Sequence, residues 1–115
     1  MIVRNYREVK AEPVIKEPGV AVHWLVSQLD EAPNFALRLY ELEPETRTAT
    51  HTHYWEQDVF VVSGTGAVVG EEGEIPLSAG DVVYVPPGEQ HQFVSTGHKV
   101  FRFLVVLPIV HQTRV

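Results

Sequence analysis

The chain has 115 residues, 44% of them hydrophobic and about a fifth charged, which suits one folded domain and argues against wholesale disorder. Nine basic against fifteen acidic residues leave a net charge of −6, so nucleic acid and anionic membrane surfaces are excluded as expected partners. There is no cysteine, which removes disulfides, thiolate metal sites and a cysteine nucleophile together, so any metal must be held by histidine and oxygen.

The opening stretch, MIVRNYREVKAEP, lacks the apolar core of a signal peptide, and no later run approaches the length that spans a bilayer. A cytoplasmic protein without a membrane partner is therefore expected. Residues 1 to 18 mix charge with scattered apolar positions and predict one or two short strands before the Pro18-Gly19 turn. From Val20 to Leu29 the run is apolar on both parities, as in a strand covered on both sides by the domain or by a second subunit. Asp30 to Asn34 predicts a turn.

In FALRLYEL, Phe35, Leu37 and Leu39 alternate with Ala36, Arg38 and Tyr40, a half-buried strand pattern. Arg38 admits two readings. If its face looks into an enclosed space, the guanidinium requires an anionic partner or ligand; otherwise it sits on a solvated face. Further on, short β-rich runs are separated by Gly, Pro and acidic turns, with no helical period longer than a turn. This spacing predicts an all-β sandwich or barrel, with Glu71 to Glu74 as a solvated hairpin tip. No internal repeat or linker interrupts it, so residues 1–115 are expected to form a single domain.

The stretch HTHYWEQDVFVVSG carries the chemistry. In an extended strand His51 and His53 point to the same face, and Gln57 follows four residues after His53. His91 comes later, in GDVVYVPPGEQHQFVS, where Gly80, Pro86 and Gly88 punctuate a strand and a tight loop. Asp58 and Glu56 are rival oxygen donors to Gln57. Strand parity groups Gln57 with Val59 and Val61, and a bulge near residue 57 reverses that choice.

At these residues the chain resembles the cupin superfamily. Its first motif, G(X)5HXH(X)3-4E(X)6G, is met by His51, His53 and Gly64, with Gln57 at the glutamate and Glu45 at the first glycine. Its second, G(X)5PXG(X)2H(X)3N, is met by Gly80, Pro86, Gly88 and His91, with Ser95 at the asparagine. The motifs occupy about 45–64 and 80–95, and the fifteen residues between Gly64 and Gly80 match the spacing of small microbial cupins. The resemblance implies a conical, jelly-roll-like β-barrel with His51, His53, Gln57 and His91 around one divalent transition metal: Mn, Fe, Co, Ni, Cu or Zn. Because the Gln57 amide brings no charge where a glutamate would, the metal is expected to be more electrophilic and to hold anions more strongly.

Among the remaining candidates, Phe93 and Phe103 are the apolar residues expected to meet a ligand. Tyr54, Trp55 and Tyr84 are placed at the pocket mouth or on the surface, and His23, His98 and His111 are left structural or exposed. The function expected is that of a mononuclear metal-dependent enzyme, a dioxygenase acting on a small organic substrate, with Arg38 orienting that substrate. An isomerase or hydrolase using the same metal, and a barrel that binds a small molecule or metal without turnover, are the alternatives. A homodimer is expected from the two-sided apolar run at 20 to 29 and the long terminal strand at 98 to 107.

Overall fold

A computed structural model describes residues 1–109 and contains, among them, nine strands and two single 3-10 turns. Strands β1 (Glu12–Pro13), β2 (Val20–Val26), β3 (Phe35–Leu42), β9 (Phe101–Pro108), β4 (Gln57–Ser63) and β7 (Val82–Val85) form one sheet in the order β1-β2-β3-β9-β4-β7. Strands β6 (Gly73–Ser78), β5 (Thr65–Gly70) and β8 (Gln92–Ser95) form the second, in the order β6-β5-β8. Every pairing is antiparallel. The expected all-β barrel is thus present, as two facing sheets with a core between them.

The last strand sets the register. In β9 the residues Phe101, Phe103, Val105 and Leu107 are buried, while Arg102, Leu104, Val106 and Pro108 face outward, the period-2 pattern of a strand with one face on a core. Its partners are Leu42, Tyr40, Arg38 and Ala36 of β3 on the same inner face. Val59 and Val61 of β4 lie beside Val105 and Phe103 from the other side. Hence the even residues of β3 look inward. The more apolar set, Phe35, Leu37 and Leu39, lies on the outer face, and Phe35 is 66% exposed.

Two segments differ from the sequence reading. The strand expected from residue 20 ends at Val26, because Ser27 caps the 3-10 turn Gln28–Asp30: its hydroxyl accepts from Leu29 N–H while Asp30 accepts from Ser27 N–H. Nor do His51 and His53 lie in a regular strand, since β4 begins only at Gln57. Instead residues 46–51 run beside β8. Ser95 N–H donates to Thr46 O at 2.9 Å, Thr48 N–H to Phe93 O at 2.9 Å, and His51 and His91 exchange backbone hydrogen bonds at 2.9 and 3.0 Å. The N-terminal segment supplies one two-residue strand and the turn Tyr6–Glu8, and the acidic tip closes the β5–β6 hairpin.

The motif glycines Gly64, Gly80 and Gly88 all take a positive φ. Gly64 has φ of 82°, and a Cβ there would collide with the Val100 carbonyl. Glu45, standing at a motif glycine, also takes a left-handed φ of 66°. His111 lies outside the described residues.

Candidate functional site

The inner faces of β3, β4, β8 and β9, together with the loop 48–55, enclose a cavity of about 290 Å³. His51, His53, Gln57 and His91 all line it, so the structure brings the two motifs to one wall. The His53 and His91 ring centres are 4.9 Å apart, and those of His51 and His91 6.2 Å. Gln57 is buried and Asp58 exposed on the outer face, as strand parity requires. Glu56 is also outside, accepting a 2.6 Å hydrogen bond from the Tyr84 hydroxyl.

Two of the imidazoles are held in a defined state. His53 Nδ1 lies 3.0 Å from Trp55 O and His91 Nδ1 2.9 Å from Glu89 O. A carbonyl only accepts, so each Nδ1 carries the proton and each neutral ring keeps its lone pair on Nε2. Burial lowers the pKa of both rings and outweighs the carbonyl bonds that raise it; the charges of His91 and Arg38 lower His53 further, while at His91 that of His51 lowers and that of Glu89 raises it. The His53 ring is also stacked on Trp55 at 4.3 Å.

These are donors suited to a borderline transition metal: imidazole nitrogens with tautomers fixed by outer partners, beside an amide. Among the described residues no three His, Asp or Glu side chains are already set as a metal cage. The amide nitrogen of Gln57 lies 3.3 Å from His91 Nε2 and donates to it. A half-turn of that amide presents its oxygen instead. The donor chemistry therefore fits a divalent ion.

Arg38 lines the same cavity as the histidines. Its guanidinium lies over the Trp24 ring at 5.3 Å and the Tyr40 ring at 5.1 Å, and its Nε is buried without a hydrogen-bond partner. Burial lowers its pKa, against the opposing influence of Tyr40 and of Glu17. Tyr40, stacked on Phe103 at 5.3 Å, is itself pushed up by burial. Phe93, Phe103 and Val105 complete an apolar wall.

Residues 38 to 107 match the family model of the cupin domain. The chain belongs to the cupin family. Over 93% of its length this cupin is 30% identical to the oxalate-binding protein of Thermotoga maritima, of which it covers 93%. Its structure superposes on the polyketide cyclase RemF from Streptomyces resistomycificus with a TM-score of 0.86 and 32% identity, over 95% of this chain and 80% of that one. A predicted oxalate decarboxylase from Thermotoga maritima superposes at 0.82 and 24% identity, over 94% and 98% of the two chains, a likeness of fold.

Of the other candidates in this cupin, Trp55 reaches the cavity, whereas Tyr54 and Tyr84 are exposed. His98 is exposed and His23 is buried away from the cavity. The sequence reading missed Glu17 and assigned no site role to Tyr40. Glu17 sits in the turn before β2, 34 residues from His51, and no motif spacing links the two. Tyr40 was open to discovery through its parity with Arg38.

Proposed function

We propose that this cupin binds one divalent transition metal through His51, His53, Gln57 and His91 and uses it to hold and activate a small organic anion oriented by Arg38. The observation that carries this reading is Arg38 itself: a buried guanidinium with an unpartnered Nε, lining the cavity that three imidazoles also line. Such a group is costly unless an anion completes it. Similarity to an oxalate-binding protein supports an organic anion as the occupant.

A bound divalent ion supplies Lewis acidity toward a carboxylate or enolate and, where redox-active, a route to reaction with O₂. The chain's own residues do the rest. Arg38 and Tyr40 fix one end of the anion, while Phe93, Phe103 and Val105 keep water from the reacting end. Gln57 adds no charge to the ligand set, which favours tight holding of an anion. Among reactions we favour dioxygenation of an enolisable substrate. Isomerisation or hydrolysis uses the same polarisation, and turnover without O₂ uptake would select it. Binding without turnover is the remaining alternative, and failure of the metal-loaded protein to consume any bound substrate would select it.

The first test is the metal content of the purified protein. About one equivalent of a transition metal supports the reading. No metal, and none taken up from Mn, Fe, Co, Ni, Cu or Zn solutions, overturns it.

The outer face of the larger sheet supports a homodimer as the working assembly. Leu39, Leu104, Phe60 and Val82 form one cross-strand row there, and Leu37, Val106, Asp58 and Tyr84 the next. Phe60, Val82 and Tyr84 are 47%, 68% and 54% exposed, an apolar surface, interrupted by Asp58, of the kind that subunits cover. A monomer by light scattering at micromolar concentration would remove this part.

A further inference from the structure

The four donors legible in the motifs carry no negative charge between them, yet the cavity contains a carboxylate. Glu17 is the one acid among the described residues that line it. It arrives on a tightly bonded turn: Glu17 N–H donates to Val14 O at 3.2 Å, Val20 N–H to Glu17 O at 3.1 Å, and Val14 N–H to Val20 O at 3.0 Å. Lys16 before it takes a left-handed φ of 69°, and Pro18 follows. The backbone thus aims the side chain inward, where it is 11% exposed.

Glu17 Oε1 accepts from Ala49 N–H at 2.7 Å and lies 3.9 Å from His51 Nε2. Beyond that amide the carboxylate has only the approach of His51 and the longer-range attraction of Arg38, a modest return for its burial. Two donors bound to one ion at about 2.1 Å stand about 3.0 Å apart when adjacent in an octahedron and about 4.2 Å when opposite. In a tetrahedron the separation is about 3.4 Å, so Glu17 and His51, 3.9 Å apart, need to close by only about half an ångström to share one ion.

We infer that Glu17 is a ligand of the metal, supplying from the turn before β2 the carboxylate that position 57 does not provide. The inference rests on the metal-binding reading proposed above. It makes the N-terminal arm, which precedes the matched region of the family model, part of the site. It also makes the ligand set singly negative instead of neutral, leaving a formal charge of 1+ on a divalent centre.

The test uses Zn²⁺ and Co²⁺ as probes on the full chain and on Glu17→Gln, Glu17→Asp, Glu17→Gln/Gln57→Glu and His91→Ala. Affinity is read by competition with a chromophoric chelator, and the coordination sphere by the visible absorption of bound Co²⁺. Glu17→Gln keeps an acceptor for Ala49 N–H, so a folded variant is expected, checked by its thermal melt. The expected result is a Zn²⁺ affinity at least tenfold weaker and altered Co²⁺ bands in Glu17→Gln, with recovery in the double variant. Should the Gln variant not fold, Glu17→Asp carries the test, since shortening the arm by one methylene also shifts the bands. If wild-type affinity and bands persist in the folded variants while His91→Ala loses the metal, Glu17 is not a ligand and the metal site stands. Failure of the wild-type chain to take up either ion overturns both.

Discussion

Two polar clusters grow from opposite faces of β3, and they differ in whether their hydrogen bonds close. On the outer face His23 bonds Val9 O at 2.8 Å through Nδ1 and Glu41 at 2.6 Å through Nε2, and Arg102 bonds the other Glu41 oxygen at 2.6 Å. Tyr6 covers the His23 ring edge-on. On the inner face Arg38 Nε has no hydrogen-bond partner, and His53 and His91 turn one nitrogen each toward the cavity. A histidine with both nitrogens committed to protein partners fastens strands together. One whose second nitrogen is free, or held only by a rotatable amide, is available to a ligand.

The largest effect should separate the two kinds of histidine. His91→Ala is expected to weaken Zn²⁺ binding by ~100-fold or more, beyond the ~10- to 100-fold that outer partners contribute. His23→Ala should leave that affinity unchanged while lowering the urea midpoint. Chelator competition and urea titration on both variants check the contrast, and equal metal affinities would erase it.

Next comes the anchor of the closed cluster. Glu41→Ala should cost about 1–3 kcal/mol in urea unfolding, less than for a fully buried pair because the carboxylate is partly exposed. Burial pushes the Glu41 carboxyl up, but hydrogen bonds from His23 and Arg102 outweigh it and hold its pKa below the ordinary value. A depressed folded pKa means the unfolded chain binds the proton first, so this stability is complete above the ordinary carboxylate range. It is lost as pH falls through the lower folded value. The gap between wild type and Glu41→Ala should therefore be widest at neutral pH and narrow in acid.

The open cluster should respond in the opposite way. Arg38→Met is expected to leave stability within ~1 kcal/mol of wild type or raise it, since an apolar replacement relieves a poorly partnered buried charge. Oxalate binding to the metal-loaded protein should weaken at least tenfold, read by calorimetry. A marked loss of stability with unchanged oxalate affinity would move Arg38 into the fastening class. The smallest effect lies outside both clusters. Glu45→Gly should gain ~0.5–1 kcal/mol by relieving the left-handed backbone, offset in part by the greater freedom of glycine when unfolded.

Much of this was legible in the chain because β-structure writes its geometry at short range. The alternation of Phe101, Phe103, Val105 and Leu107 predicts the buried face of β9, and the same parity places Gln57 inside and Asp58 outside. The glycines at 64, 80 and 88 announce turns that ordinary residues resist. Local pattern falls short where long-range partners replace it. His51 and His53 have strand-like spacing, but their segment pairs with β8 through isolated bonds and not through β4. Val20 to Leu29 reads as one apolar run, and the break at Ser27 comes from a cap whose second half is Asp30.

The sequence alone determined the family, the barrel class and the two segments that bring three histidines and an amide together, because each depends on residue type at fixed spacing. It left open which way Arg38 faces, since β3 is more apolar on the side that turns outward; the pairing of Arg38 with Val105 on the inner face decided that. It was silent on Glu17, and it set His23 apart from the ligand histidines without the partners that commit it. Those properties belong to contacts between segments 18 to 61 residues apart, such as His23 with Glu41, Glu17 with Ala49 and Arg102 with Glu41. No local periodicity encodes such distances, and only closure of the two sheets brings them into hydrogen-bonding range.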